Sequence, residues 1–198
     1  MSEALFLAST NEGKRAEFAA LLAEHGLELG ASIPYPEVEE NASDYLGNAA
    51  LKAAALHGEL VRIGTRATVF ADDSGLEVDA LEGAPGIRSA RYGGVELTWP
   101  QRRARLLAAI SEVPAPRRTA SFHCSLLAID ERGDRYQGFG ETRGSIVLAE
   151  RGDAGFGYDP LFLPDGERRT FAEMSAPEKA RTSHRARALR ALVAAMGK

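Results

Sequence analysis

ATVFADDSGLEVDAL, residues 67–81, sets two adjacent aspartates directly against an apolar run. ATVFA (67–71) is composed as a buried strand, and GLEVDAL (75–81) alternates apolar and acidic residues with the period of a half-buried one. Asp72, Asp73 and Ser74 are therefore predicted just past the end of the first strand, where α/β sheets collect ligands. Neighbouring carboxylates repel each other unless a cation or hydrogen bonds compensate. The segment is either a plain turn or helix cap, or a point to which the rest of the chain must deliver donors.

The remaining pattern supplies helices and strands around it. ALFLA (4–8) reads as a short buried strand, and residues 12–25 as a helix with Phe18, Leu21 and Leu22 on one face and Gly26 as its stop. A polar loop over 30–44 leads to an Ala- and Leu-rich helix over 45–63. An amphipathic helix is predicted over 98–113 and a long strand over 118–130, with ERGD as a hairpin turn into RYQGFGETRGSIV. A Gly-rich loop occupies 151–160. Ser175 and Glu178 form a capping box for a helix running to the end. Early alternation followed by hairpins predicts an α/β fold with a mixed sheet flanked by helices. With 198 residues and no repeat or linker, the chain is expected to form a single domain, 1–198.

The net charge of −4 argues against a nucleic-acid partner, which needs a basic face, but not against a small anion held in one cationic pocket. No apolar run approaches the roughly 18–20 residues of a membrane span. Nothing near the N-terminus reads as a signal sequence. The single cysteine, Cys124, is expected as a small buried hydrophobe, and the protein as cytoplasmic. Among the 24 basic residues only Lys14, Lys52, Lys179 and Lys198 are lysine. The first three are places where a compact ammonium can do what a guanidinium cannot.

Three further stretches carry chemistry. Ser9-Thr10-Asn11-Glu12-Gly13-Lys14-Arg15 puts small polar residues at a helix N-terminus, where free N–H groups and the helix dipole favour an anion. It is not a Walker loop, which would need Gly at 8 and Ser or Thr at 15. An N-cap by Thr10 or Asn11 is the simpler alternative. Gly155-Phe156-Gly157-Tyr158-Asp159-Pro160 offers Phe156 or Tyr158 as a face for something flat, or a hairpin turn. Lys179 and Ser183 share a helix face, with His184 and Arg185 beyond. Glu37, Glu39 and Glu40 cluster in the polar loop, and one of them would suffice for Mg²⁺, which asks for one or two carboxylates.

As an ordered set, LASTNEGKRAEF (7–18), GNAALKA (47–53), ADDSGLEVDALEGAPGIRSARYGG (71–94), GFGYDPLFLP (155–164) and TFAEMSAPEKARTSHRARAL (170–189) resemble the inosine triphosphate pyrophosphatase family. The resemblance spans nearly the whole chain. It implies hydrolysis of noncanonical purine nucleoside triphosphates (ITP, dITP, XTP) to monophosphate and pyrophosphate, on an elongated mixed sheet in two lobes with the active site in a cleft, in a homodimer. It also implies that Ser9, Thr10, Asn11, Glu12, Gly13 and Lys14 hold the triphosphate, with Lys52 and Ser74 near the phosphates. Asp73 matches the general base, and Asp72, Asp73 and Glu40 the Mg²⁺ ligands. Phe156, Gly157, Tyr158, Asp159, Lys179, His184 and Arg185 match positions around base and sugar. Two departures stand out: Gly47 replaces a glutamate, and Asn41-Ala42 replaces Thr-Gly, which leaves the choice among Glu37, Glu39 and Glu40 open.

Water attack at the α-phosphorus follows from this reading, with Lys14 and Lys52 neutralising the leaving pyrophosphate and Asp73 orienting the water. Donors from His184, Arg185 and nearby backbone N–H groups would accept a 6-oxo purine and reject a 6-amino one, with Phe156 stacking. The competing expectations are a Maf-like pyrophosphatase for other nucleotides and a nucleotide-binding module without catalysis.

Overall fold

The computed structural model describes residues 4–198. In chain order the elements are β1 (Ala4–Leu7), α1 (Glu12–Glu24), β2 (Glu28–Leu29), α2 (Tyr45–Arg62), β3 (Val69–Val78), α3 (Trp99–Ala109), β4 (Thr119–Ile129), β5 (Arg135–Ile146), β6 (Phe162–Pro164), α4 (Ala176–Thr182) and α5 (His184–Ala195). Among the described residues the strands form one sheet in the order β2-β1-β3-β4-β5-β6. β1 runs parallel to β2 and to β3 (Phe6 opposite Val69), whereas β6 is antiparallel to β5 (Gly144 opposite Pro164), so the sheet is mixed as expected.

The chain divides into two compact units. The first comprises residues up to Asp73, Cys124–Gly140 and Arg185–Lys198; the second comprises Ser74–His123 and Glu141–His184.

In the first unit, α2 presents Ala49, Ala53, Leu56 and Leu60 as one stripe, the spacing of a single helix face. The stripe packs with Val69 and Ala71 of β3 and Leu127 and Ile129 of β4. Each fully buried leucine contributes about 1.5–3 kcal/mol. Phe70 turns to the other side and meets Phe18 of α1 edge-on at 5.4 Å. Successive strand residues alternate sides. In the part of β3 up to Asp73, odd positions thus address α2 and even positions address α1. Cys124 is buried here, and burial pushes its thiol up, as suits an inert core residue.

The second unit has its own aromatic core, in which Phe122, Phe162, Phe171 and Tyr158 pack with Leu76, Leu106 and Leu161. Phe122 and Phe162 meet at 4.7 Å.

Two sequence expectations are corrected. Asp72, Asp73 and Ser74 do not lie past a strand end: β3 runs unbroken through them. Nor is the C-terminal segment one helix. Ser183 is extended (φ −68°, ψ 148°) and separates α4 from α5, so Lys179 and Ser183 do not share a helix face.

Candidate active site

The alternation of β3 decides what the two aspartates meet. Asp72 follows Phe70 toward α1, where Lys14 lies one turn before Phe18. The Lys14 ammonium reaches the Asp72 carboxylate at 2.8 Å, and the Arg185 guanidinium stands 3.8 Å from the same oxygen. Arg185 is held in turn by Glu17 at 3.0 Å. Burial pushes the Asp72 carboxyl up, but Lys14, Arg185 and Lys52 outweigh it and hold it at about 2. Asp72 is thus a permanent anion enclosed by cations.

Asp73 follows Val69 and Ala71 toward α2, where Asn48 and Lys52 lie one turn apart. The Asn48 side-chain amide donates to Asp73 at 2.9 Å, and the Lys52 ammonium stands 3.9 Å from its other oxygen. Lys52 binds Glu40 at 2.5 Å. Here burial wins: it pushes the Asp73 carboxyl above its ordinary range although Lys52 and Asn48 oppose it. Burial alone would lower Lys52, yet Asp72, Asp73 and Glu40 together raise it. Adjacent residues of one strand therefore acquire opposite acidities, one kept ionised and one made more basic. A more basic carboxylate is the better proton acceptor.

Asn48 was not singled out from sequence. It is fully buried, and its carbonyl oxygen accepts from the Ala42 backbone N–H at 3.0 Å, so it ties the acidic loop to Asp73. An Asn beside an otherwise apolar helix stripe is the signal that points to it. The two departures in this loop turn out to be neighbours. A Cβ added at Gly47 would lie 2.6 Å from the Ala42 Cβ, while the Gly47 N–H is capped by Asp44 at 2.7 Å. Of the three loop glutamates, Glu37 and Glu39 are exposed and Glu40 is half-buried against Lys52.

The segment before α1 resolves its own ambiguity. Asn11 is the N-cap, accepting from the Lys14 N–H at 3.0 Å, and Ser9 Oγ accepts from the Asn11 N–H at 3.2 Å. Thr10 and Glu12 are exposed and Gly13 half-buried at the mouth of the same turn. The cap uses one donor of the first turn and leaves others, so capping does not preclude an anion here.

Hard carboxylate oxygens at Asp72, Asp73 and Glu40 fit a divalent cation of the magnesium kind. Among the described residues no group of three His, Cys, Asp or Glu is gathered tightly enough to hold a metal by itself. Mg²⁺ asks for only one or two carboxylates, its shell being completed by water and phosphate oxygens.

The second unit carries the other predicted residues. Ser74 continues β3 there, half-buried. Lys179 donates to Asp159 at 2.7 Å, and the same Asp159 oxygen accepts from the Phe156 N–H at 2.9 Å. The ammonium also lies 5.3 Å from the Phe156 and Phe171 ring centres. His184 is stacked on Phe122 at 4.6 Å with the rings 7° from parallel. Tyr158 is not a stacking face. Its ring is 2% exposed, meets Trp99 edge-on at 5.5 Å, and its hydroxyl donates to the Ser89 carbonyl at 3.1 Å. Burial accordingly pushes its pKa up. Phe156, half-buried, is the aromatic left to present a face.

Ammonium groups thus stand against carboxylates beside a helix N-terminus, on a mixed α/β sheet. The chain belongs to the Ham1 family, whose family model matches residues 5–195. It is 44% identical over 193 residues to a dITP/XTP pyrophosphatase of Opitutus terrae, covering 93% of this chain and 94% of that one. A Coxiella burnetii HAM1 protein of solved structure has 35% identity and a TM-score of 0.82, with 98% of both chains covered. The solved nucleoside-triphosphatase / dITP/XTP pyrophosphatase of Mycobacterium abscessus has 39% identity and a TM-score of 0.71, covering 96% of this chain and 98% of that one.

Proposed function

We infer that this protein hydrolyses noncanonical purine nucleoside triphosphates, ITP, dITP and XTP among them, to the monophosphate and pyrophosphate. One observation carries the reading: adjacent buried aspartates on β3, one held ionised at about 2 by Lys14 and Arg185 and the other raised by burial beside Lys52. Relatives named dITP/XTP pyrophosphatases, matching over nearly the full chain, supply the substrate class.

Lys14 and the N–H groups of the Ser9–Gly13 turn take the phosphate oxygens. Lys52 neutralises charge that builds on the leaving pyrophosphate, an electrostatic task that needs no covalent intermediate. Asp73, steadied by Asn48, receives a proton from the attacking water. Asp72, Asp73 and Glu40 would hold Mg²⁺, which when bound neutralises phosphate charge and acidifies water. In the second unit, Phe156 offers the stacking face with Lys179 beside it, and His184, stacked on Phe122, is a further donor for a 6-oxo purine. In the first unit, Arg185, held by Glu17, is offered as a further donor. A 6-amino purine would set donor against donor, a mismatch that discriminates strongly once water is excluded.

The test is pyrophosphate release from ITP, dITP, XTP, GTP and ATP, with Mg²⁺ and with chelator. Pyrophosphate from ITP, dITP and XTP, slow ATP turnover and loss of activity with chelator are expected. Comparable ATP turnover would overturn the selectivity, and orthophosphate as product would overturn the reaction. A homodimer in the cytoplasm completes the proposal, and light scattering showing a monomer at working concentration would remove the first part.

A further inference from the structure

Arg103 entered the sequence reading only as one residue of an amphipathic helix, yet its side chain leaves that helix and reaches the Gly-rich loop. The start of α3 is fixed first. Thr98 and Gln101 form a capping box, with the Thr98 N–H donating to Gln101 at 2.8 Å, and Pro100 lies in the first turn. Arg102 then secures the approach to the helix by donating to the Leu97 and Gly94 carbonyls at 2.6 and 2.7 Å. With the helix placed, Trp99 and Arg103, four residues apart, share the face toward the loop.

Both act on Gly157. This residue has φ +66°, and a Cβ built on it would lie 3.6 Å from the Trp99 ring. The ring is thus a floor beneath the peptide. Arg103 donates from one terminal nitrogen to the Gly157 carbonyl at 3.0 Å and from the other to Glu150 at 2.9 Å. One planar fork therefore spans the loop from its entry at Glu150 to Gly157. The Arg103 side chain is 13% exposed, so water competes little for its bond to the Gly157 carbonyl, while the Glu150 end is more exposed.

In a trans peptide the C=O and the following N–H point in opposite directions across one rigid plane. A bond that fixes the Gly157 carbonyl fixes the direction of the Tyr158 N–H as well. It also fixes the orientation of the Phe156–Tyr158 segment, whose other anchors are the Asp159–Phe156 N–H bond and the buried Tyr158 ring.

We propose that Arg103 is a positioning residue for purine recognition: by holding the Gly157 carbonyl over Trp99 it sets the backbone donor and the Phe156 ring that read the base. The proposal rests on the functional reading above and adds a residue to it. Arg103 touches no phosphate-side group, so its loss acts on base recognition and leaves the phosphate side alone.

The experiment compares wild type, Arg103→Met, Arg103→Lys and Glu150→Gln in steady-state turnover of ITP and ATP. Inorganic tripolyphosphate, a probe with no base, serves as competitive inhibitor. For Arg103→Met the KM for ITP should rise about tenfold with kcat within about twofold, the signature of lost uniform binding. The ITP-to-ATP ratio of kcat/KM should fall, while tripolyphosphate inhibition stays within about twofold of wild type. Arg103→Lys, able to hold one partner, should fall between. An unchanged KM and selectivity overturns the proposal, as does tripolyphosphate inhibition weakened as much as ITP binding. If Arg103→Met fails to fold, Glu150→Gln carries the test, with a two- to threefold rise in KM expected, on the order of one lost exposed ion pair. No change there is equally fatal. A wild type that cleaves no triphosphate overturns the functional reading and this proposal together, whereas a selective wild type with an equally selective variant overturns the proposal alone.

Discussion

Each unit buries a lysine against an aspartate, and the two pairs live in opposite surroundings. Lys14–Asp72 in the first unit is one contact in a polar cluster with Arg185, Glu17, Lys52, Glu40 and Asp73. Lys179–Asp159 in the second lies beside the Phe156 and Phe171 rings, and its carboxylate accepts from the Phe156 backbone N–H. A cluster with several charges of each sign can exchange partners when a polyphosphate enters, because no ion is left alone. A pair set beside aromatic rings and tied to the Phe156 N–H holds its loop in one arrangement. The same two residue types thus stand in a cluster of several charges in one place and in an aromatic-lined pair in the other.

The sharpest break of this comparison is Asp73→Asn. It keeps the shape beside Asn48 but removes the proton acceptor, so kcat for pyrophosphate release should fall on the order of 10²–10⁴-fold with the fold intact. Normal kcat would mean the first cluster is not catalytic.

Next comes stability. Lys179→Met leaves Asp159 buried without its ammonium and should cost about 3–5 kcal/mol, the usual penalty for breaking a buried pair from one side. At about 2–4 °C per kcal/mol for a chain of this size, thermal melting should show a fall of about 10 °C. Lys14→Met should cost distinctly less, since Arg185 and Lys52 still face Asp72. Equal losses would erase the distinction between pair and cluster.

A smaller effect is expected where Gly47 meets Ala42. Gly47→Ala should destabilise by about 1–3 kcal/mol through overpacking, and Ala42→Gly in the same chain should recover most of it. Additive losses in denaturant unfolding would show that the two positions do not compensate each other.

The smallest and most conditional effect is in pH. The folded Asp72 carboxyl, at about 2, lies below its ordinary 3.8. Its contribution to stability is complete above that ordinary value and is lost as pH falls through the folded one. Melting curves of wild type and Asp72→Asn should therefore converge between pH 4 and 2, and a constant gap would contradict the geometry.

Much of this was legible in the chain. The mixed sheet followed from early alternation and later hairpins, and the Ser175–Glu178 capping box was read directly. The unbroken β3 was not, because adjacent acids resemble a turn until Lys14 and Asn48, 58 and 25 residues away from their respective partners, are seen to compensate them. Non-local compensation leaves no local mark. Tyr158 could not be told apart from Phe156 as a stacking face for the same reason: its place in the core depends on Trp99 and Ser89. The break at Ser183 is carried by one backbone torsion, which Ser-His-Arg does not announce. Arg103 lay hidden among five arginines of 102–118, of which it alone reaches the Gly-rich loop among the bonds described.

Because Asp72 and Asp73 are consecutive on one extended strand, their roles are assigned by parity and not by local composition. Adding or deleting one residue between Ala67 and Ala71 would rotate the pair by half a turn, handing the raised acid to α1 and the ionised one to α2. Evolution can trade side chains around these aspartates one at a time, but the count of residues leading up to them has to stay odd or even as it is.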